Sequence, residues 1–361
     1  MAAVELTWLG VDLRTGAIAE ELRSLAPSGG LSRRMGAVTS AQLDLVLAGA
    51  PAGWEAATDP GRTMLVGVDT ATGVPVWTGV PKPRTGGSGP VLQIGAASPE
   101  CYLEGRYLGS DYSVTATDQV AVMAALAAPA LTGGPPIVLD TTASGTLIDY
   151  TAADADDRPI LSYLQEISAM QGGPEWTLDT VWADAAQTRV QLVLRIRPTI
   201  GVVDPMPEPV FDLPGCISEY TLTESYERGR GATSVIARGD RADGVRATSS
   251  THTATDLLAA GWPLWEHRAT PAQGITDTAQ LERHAAEDLA LMGTGSRAWT
   301  VTAVASRAPR LGTEWGLGDS VRISVAESPR HPTGAEVVAR AYAWELNPAA
   351  DRVSPILLED A

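Results

Sequence analysis

The chain has 361 residues, 44% of them hydrophobic, and its 26 basic and 43 acidic residues give a net charge of −17. This charge argues against sequence-specific nucleic-acid binding and against an anionic membrane as partner, since both need clustered lysine or arginine. The longest apolar run, residues 120–131, is interrupted by Pro129 and is shorter than the ~20 residues of a membrane span. The N-terminus lacks a basic segment and a long apolar core, so we expect synthesis in a cytoplasm and no unaided membrane insertion.

Residues 1–115 are predicted to form an antiparallel β-barrel. Short apolar runs in this part are separated by turn residues such as Thr15-Gly16 and Thr72-Gly73, which is typical of hairpins. The predicted elements are a hairpin in which 4–9 is followed by 10–18 turning back through Arg14-Thr15-Gly16, strands at 64–68, 74–80, 91–96 and 101–108, and a short helix at 39–47.

Residues 116–200 are predicted to form an α+β insert. Asp118 is placed to cap a helix at 119–128, and Pro159 suits the first position of a second helix. That second helix has one apolar face and is expected to stop at Gly172-Gly173. Residues 137–150 are expected to be extended, and 176–182 with 188–196 to form a hairpin.

Residues 201–215 contain four prolines and are predicted to be a linker, and residues 216–361 to form a second barrel. Its predicted elements are strands at 217–226, 233–237, 299–306, 320–325, 337–346 and 353–358 and a helix at 276–292. The helix carries Leu281, Ala285, Leu289 and Met292 on one face. The predicted fold class is therefore mainly β with an α+β insert, in which two antiparallel β-barrel domains flank a mixed domain.

Few residue clusters indicate chemistry. Glu266-His267 and the later His284, Glu287 and Asp288 could contribute to a metal site. A site needs three or four convergent ligands, however, so a solvated helix face or a local ion pair is favoured.

Other candidate ligand loops are incomplete. Segments 154–157 and 240–244 lack the alternating ligands and terminal glutamate of a calcium loop, which favours a helix start and a turn. Segments 229–231 and 293–295 lack the Gly-Lys-Ser/Thr of a phosphate loop, and no Gly-x-Ser-x-Gly elbow occurs. Carboxylate pairs for glycoside cleavage stay an alternative. We expect no catalytic residue, no metal and no cofactor.

The two cysteines, Cys101 and Cys216, belong to no Cys-x-x-Cys pair and are expected to be buried free thiols. The chain has ten tryptophans and one phenylalanine, and core filling or subunit contacts fit the tryptophans of the predicted strands better than a sugar-binding stripe. These tryptophans are Trp8, Trp77, Trp176, Trp182, Trp299 and Trp344.

Several segments, taken in order, are similar to those of a known family. They are Cys-Tyr-Leu-Glu-Gly-Arg-Tyr-Leu at 101–108, Gly-Gly-Pro-Glu-Trp at 172–176, Tyr-Glu-Arg-Gly-Arg-Gly at 226–231 and Gly-Leu-Gly-Asp-Ser-Val-Arg-Ile at 316–323. With them the chain resembles the minor tail proteins of actinobacteriophages with long non-contractile tails. These are similar to the tail-tip, or baseplate, hub family of long-tailed phages.

The resemblance implies a virion component at the tail tip, of which three copies form a ring. Each copy would contribute two tube-like barrels, so that three chains imitate a sixfold tube end. The implied partners are two further copies, the distal tail protein, a central fibre or spike or other minor tail proteins, and the tape-measure protein. DNA would follow the tape-measure protein through the lumen. The alternatives are a distal tail protein and a carbohydrate-binding or cell-wall-degrading tail module.

Overall fold

The computed structural model describes residues 4–170, 172–242, 244–270 and 278–358. It contains 45% strand and 17% helix, so the predicted mainly β fold is confirmed. Two compact units are distinguished: unit 1 comprises Met1–Tyr220 and Val301–Leu357, and unit 2 comprises Thr221–Thr300 and Leu358–Ala361. The predicted divisions after residues 115, 200 and 215 stay a prediction.

The elements follow the chain in three groups. The first group consists of β1 (Leu6–Asp12), β2 (Ile18–Glu21), β3 (Leu25–Pro27), β4 (Leu31–Arg34), β5 (Ser40–Val46), α1 (Trp54–Ala57), β6 (Thr63–Asp69), β7 (Pro75–Thr85) and β8 (Val91–Ala97). The second consists of β9 (Tyr112–Asp118), α2 (Gln119–Ala127), β10 (Ile137–Thr141), β11 (Leu147–Ala152), α3 (Ile160–Ser168), β12 (Glu175–Trp182) and β13 (Val190–Arg197). The third consists of β14 (Val210–Leu213), β15 (Ile217–Ser225), β16 (Ser234–Ala242), β17 (Val245–Thr248), β18 (His252–Thr253), α4 (Thr255–Ala259), β19 (Glu266–Ala269), α5 (Thr278–Met292), β20 (Ser296–Val304), β21 (Ser320–Val325), β22 (Ala335–Asn347) and β23 (Arg352–Leu358).

The first group forms a sheet, called sheet I, with the strand order β2-β1-β6-β7-β8-β5-β3. Its two end strands, β2 and β3, are separated by only three residues of the chain, which curls the sheet towards closure. Every residue of β6 is buried, because the sheet interior lies on one side and the mixed insert on the other. Met64, Val66 and Val68 join the core of the insert.

The insert combines two helices with two small sheets. In the larger sheet, β13 pairs with β10 in parallel and with β12 in antiparallel direction. The carboxylate of Asp118 accepts a hydrogen bond from the Val120 N–H and so caps α2, as predicted. Ile160, Tyr163 and Ile167 on α3 face the common core, and the helix ends at Ser168, before the predicted glycine stop.

Six strands of the third group form sheet II, with the order β14-β21-β22-β23-β20-β15. Its end strands, β14 and β15, are again three residues apart. Strands β14, β21, β22, β23, β20 and β15 occupy the places that β2, β6, β7, β8, β5 and β3 occupy in sheet I. The direction agrees as well: β14 is parallel to β21, and β2 runs parallel to β6 because β1, the additional strand of sheet I, is antiparallel to both.

Strand β4 belongs to the β3–β5 connection of sheet I but pairs with sheet II. It lies antiparallel to residues 343–346 of β22. The Met35 N–H then donates to the Tyr342 carbonyl oxygen at 2.9 Å. The two sheets of unit 1 are therefore joined by backbone hydrogen bonds.

Unit 2 contains the chain between β15 and β20 together with the adjoining ends of these two strands. Strand β16 pairs with β17 and β18 in antiparallel and with β19 in parallel direction. Helix α5 packs on them through Leu281 and Ala285, and Leu289 and Met292 extend the same face, as predicted. Residues 276–277 of the predicted helix lie outside the described residues.

Two predicted elements were wrong. Residues 39–47 form a strand, because Ala41, Leu43 and Leu45 are buried with a period of two and the polar N-cap signal at Thr39 does not decide the element. Residues 101–108 are not a strand either: a 3-10 helix runs from Pro99 to Gly105, with a proline in its first turn. In addition, β14 lies within the predicted linker.

Candidate functional site

The most elaborate polar structure in unit 1 lies where sheet I, the insert and sheet II meet, and we call it the junction. Three arginines form it: Arg33 on β4, Arg310 in the β20–β21 connection and Arg340 on β22. Each arginine binds a carboxylate from another part of the unit.

Arg33 ties three segments together. One guanidinium nitrogen donates to Asp179 of β12 at 2.8 Å, and the other donates to Glu100 at 2.8 Å and to the Leu178 carbonyl oxygen at 3.0 Å. Burial alone would lower the pKa of Arg33, but the carboxylates of Glu100 and Asp179 raise it above its ordinary value. Arg33 thus links Glu100, which follows sheet I, to the insert, and its own strand β4 pairs with β22 of sheet II.

The ion pairs continue across the sheet of the insert. Asp179 also faces Arg195 of β13, whose Nε lies 3.1 Å from a carboxylate oxygen, and Arg197 donates to Asp140 of β10 at 2.5 Å. Asp179 lies opposite Val193, and Asp140 lies opposite Arg195, so both ion pairs are diagonal contacts between neighbouring strands.

Arg310 makes the direct clamp between the two sheets. Its Nε and Nη2 donate to the two carboxylate oxygens of Asp69 at 2.7 and 2.5 Å, and the side chains are 9% and 1% exposed. Burial alone would raise the pKa of Asp69, but hydrogen bonds from Arg310, the Ala71 N–H and Thr72 lower it below 3.8. A paired, ionised aspartate is therefore stable in this enclosed position.

Arg340 joins the insert to sheet II. It binds Glu175 of β12 in a bidentate arrangement at 2.8 and 2.7 Å and also donates to the Ile200 and Gly318 carbonyl oxygens. The same carboxylate accepts the Ile200 N–H at 2.6 Å. The planar guanidinium matches this set of acceptors, which a lysine could not.

A cleft of about 330 Å³ lies at the junction. Polar lining residues include Arg33, Thr78, Asp179, Arg195 and Asp319. Arg33, Asp179 and Arg195 are already engaged with one another. This arrangement stabilises a joint between protein segments.

The two cysteines are buried free thiols, as the sequence predicts. Cys101 and Cys216 are buried and unbridged, and burial raises the pKa of each to about 11. At neutral pH they are therefore protonated apolar fillers rather than nucleophiles.

The predicted histidine and carboxylate cluster is partly brought together in unit 2. Burial raises the pKa of Asp288 on α5, and His267 of β19 and His284 act against that rise by their charge. No three His, Cys, Asp or Glu residues in the described ranges form a group suited to a metal ion.

A stronger interaction on α5 was not predicted. Glu282 accepts hydrogen bonds from Ser250 and lies 2.6 Å from Nε2 of His252. These contacts lower the pKa of Glu282 to about 2, the Ser250 N–H being the main cause. They fasten the helix to β18 and to Ser250 just before it.

Of the two segments considered as calcium loops, 154–157 forms a turn. Asp154 opens a 3-10 turn and accepts the Gly109 N–H at 2.8 Å, and Asp157 takes the left-handed conformation that ends it. Segment 240–244 includes Asp243, which lies outside the described residues.

The strand tryptophans fill cores, as predicted: Trp8, Trp77, Trp176, Trp299 and Trp344 are buried. Trp182 is half-buried, and its indole N–H donates to the Gly73 carbonyl oxygen at 2.7 Å. A further group of tryptophans, in unit 2, is exposed and was not predicted from the sequence.

The missed group consists of Trp262 and Trp265, which lie 5.3 and 6.2 Å from the ring of Tyr226 in unit 2, with Leu264 exposed beside them. The run Trp-Pro-Leu-Trp, which fits neither helical nor strand periodicity, could have indicated it.

Comparison with known proteins identifies the fold. No family model and no curated protein matches the chain. The tail protein of Neisseria meningitidis MC58 superposes with a TM-score of 0.63 at 14% identity, over 98% of this chain and 97% of that one. The 43 kDa tail protein of prophage MuSo2 from Shewanella oneidensis gives 0.61 at 11% identity, over 98% of both chains. Prophage tail protein gp18 from Listeria monocytogenes EGD-e gives 0.57 at 13% identity, over 95% and 91%.

The chain has the fold of phage tail proteins. The superpositions extend over nearly the whole length of both partners, so they include both sheets and the insert. Among the described residues, no helix is long and apolar enough to cross a membrane.

Breaking the Asp69–Arg310 clamp should cost far more stability than breaking an exposed ion pair. Arg310→Ala leaves Asp69 buried without its partner, which typically costs about 3–5 kcal/mol. The matched control, Arg322→Ala, removes a pair with Glu336, whose side chain is 60% exposed, and should cost less than about 1 kcal/mol. Urea unfolding followed by circular dichroism measures both changes. Equal losses in the two variants would contradict a structural role of the clamp.

Acid should remove the contribution of Asp69. Its folded pKa lies below the ordinary 3.8, so the stabilisation is complete above that pH and is lost as the pH falls through the folded pKa. Asp69→Asn cannot titrate, so its urea midpoint should lie well below that of the wild type at pH 7. The difference should shrink when the pH falls below about 4. A difference that is unchanged between pH 7 and pH 3 would show that the stabilisation by the Asp69–Arg310 contact does not depend on the charge of Asp69.

Proposed function

We propose that this protein is a structural component of a phage tail tip, a hub of which three copies form a ring of six related sheets. The observation that carries the proposal is the common strand order of sheet I and sheet II in one chain. Two similar building blocks in each chain let three chains imitate sixfold symmetry. The likeness of the whole chain to phage tail proteins supports the proposal.

The junction suits a mechanical part. A hub has to keep the relative position of its sheets while neighbouring components pull on it. The clamps of Arg33, Arg310 and Arg340 combine charge with directed hydrogen bonds, so each of them tolerates little sliding.

The ring would link the distal tail protein to a central fibre or spike, with the tape-measure protein and then DNA passing through its lumen. The net charge of −17 supports passage rather than retention of DNA. Each phosphate neutralised by lysine or arginine adds affinity, and an acidic protein offers few such contacts. The proposal includes no catalytic step, no cofactor and no insertion into a membrane.

Light scattering on the purified chain during size-exclusion chromatography tests the hub. We expect a particle of three times the chain mass, because head-to-tail contacts can close into a ring. The particle should persist in moderate salt. A stable monomer, or a closed assembly with another number of copies, contradicts the hub and favours a distal tail protein. Hydrolysis of peptidoglycan by the isolated chain, abolished by one carboxylate substitution, would favour the cell-wall-degrading alternative.

A further inference from the structure

Unit 2 exposes a small aromatic surface formed by Tyr226, Trp262 and Trp265, and we call it the aromatic platform. Trp262 is 39% exposed and Trp265 is 53% exposed, and their ring centres lie 5.3 and 6.2 Å from that of Tyr226. Leu264, which stands between the tryptophans in the sequence, is 60% exposed. Single exposed apolar side chains are ordinary, whereas a contiguous group of this kind marks a binding surface.

The backbone that carries the two tryptophans is fixed to Thr233, the residue before strand β16. The Trp265 N–H donates to Thr233 Oγ1 at 2.8 Å, and the Trp265 carbonyl oxygen accepts the Thr233 N–H at 2.9 Å. Thr233 Oγ1 donates to the Pro263 carbonyl oxygen at 3.0 Å, and the Trp262 N–H donates to the Leu257 carbonyl oxygen at 3.0 Å. The rings therefore stand on an ordered backbone, which loses little conformational entropy when a ligand binds.

Two glycines leave room for the central ring. A Cβ built on Gly231 or on Gly295 would lie less than 3.0 Å from Cδ2 of Tyr226, so a larger residue at either position would displace the ring. The Tyr226 hydroxyl donates to the Gly293 carbonyl oxygen at 3.3 Å. Tyr226 is therefore held in place and supports both tryptophans.

The size of the platform separates two kinds of partner. A tryptophan side chain offers up to about 250 Å², so the exposed shares of Trp262 and Trp265 correspond to about 230 Å² together. A stable protein interface removes about 800 Å² from each partner. The platform falls well short of that area, but it can cover the face of a sugar ring.

The charged residues around the platform nearly balance one another. Three acidic and three basic residues, all exposed, stand within four positions of the three rings along the chain: Glu224, Glu227, Glu266, Arg228, Arg230 and Arg268. His267 in the same range is half-buried, and Arg297 pairs with Glu224 at 3.2 Å. Such a surface does not select an anionic polymer, since that needs an excess of basic groups.

A neutral sugar suits both features of this surface. The C–H bonds on one face of a pyranose ring form an apolar, weakly positive surface, and the face of an indole ring is weakly negative, so the two attract each other. The carboxylates around the platform can accept hydrogen bonds from sugar hydroxyl groups, and the guanidinium groups can donate to them.

We propose that the aromatic platform binds a neutral polysaccharide. The pyranose rings stack on Trp262 and Trp265, and the hydroxyl groups form hydrogen bonds with the surrounding arginines and carboxylates. The site lies within unit 2, so it goes beyond the proposed hub and does not depend on the number of copies in the ring.

Calorimetric titration of the full-length chain with neutral trisaccharides of glucose, mannose, galactose and N-acetylglucosamine tests the platform. At least one of these sugars should give saturable binding. Trp262→Ala and Trp265→Ala should each lower its affinity about tenfold, which corresponds to about 1.4 kcal/mol of lost stacking. The matched control, Tyr107→Ala, removes a side chain that is 50% exposed and lies in unit 1, and should leave the affinity unchanged.

A further variant separates the loss of a ring from the loss of the fold. Trp265→Phe keeps an aromatic ring and should retain most of the affinity, and circular dichroism should show the native spectrum for every variant. A wild-type chain that binds none of these sugars overturns the proposal. Equal losses in Tyr107→Ala and Trp265→Ala overturn it too.

Light scattering on the same variants separates the platform from the hub. Platform variants that keep the sugar affinity but change the number of copies would show a contact between subunits, and the proposal would be wrong. A monomeric chain that loses sugar binding on Trp265→Ala contradicts the hub and supports the platform.

Discussion

The structure of unit 1 depends on arginine side chains that connect parts of the chain far apart in sequence. Asp69 and Arg310 are 241 positions apart, and Glu175 and Arg340 are 165 apart. In a buried pair the desolvation of two charges offsets much of their attraction, so the pairs need not add much net stability. Their consequence is geometric, because any other arrangement of the sheets would leave a buried charge without a partner. The ion pairs, together with the backbone pairing of β4 with β22, thus favour the observed positions of sheet I, the insert and sheet II.

Such a constraint has a use in a protein with two similar sheets. Two sheets with the same strand order could pack on each other through several surfaces. The clamp of Asp69 and Arg310 selects one of them, a turn against a connection, and so gives the pair a direction. A contact between two different surfaces can be repeated from chain to chain. A contact between two copies of the same surface is complete in a dimer. The proposed ring is therefore an extension of the geometry within the chain.

Local patterns in the sequence predicted the elements that depend on local physics. The cap at Asp118, the apolar face of α3 and the strand at 320–325 are confirmed, since each is determined by neighbouring residues. The helix predicted at 39–47 was wrong, because the alternation of Ala41, Leu43 and Leu45 outweighs one polar cap signal. The buried strand β6 shows no alternation, since both of its faces are covered.

The site could not be predicted in the same way. No motif marks Arg33, Arg310 and Arg340 in the sequence, and their carboxylate partners come from other segments that only the fold brings near. The sequence instead indicates the histidines and carboxylates near α5, which are close along the chain. The structure brings only part of that group together. The common strand order of the two sheets is likewise invisible to residue patterns, because it concerns the pairing of strands and not their sequences.

A cryo-electron microscopy reconstruction of the virion tail tip tests the proposed hub most directly. We predict three copies of this chain in one closed ring, with sheet I and sheet II alternating around the axis in approximate sixfold symmetry. A ring with another number of copies, or sheets that do not alternate around the axis, would contradict it.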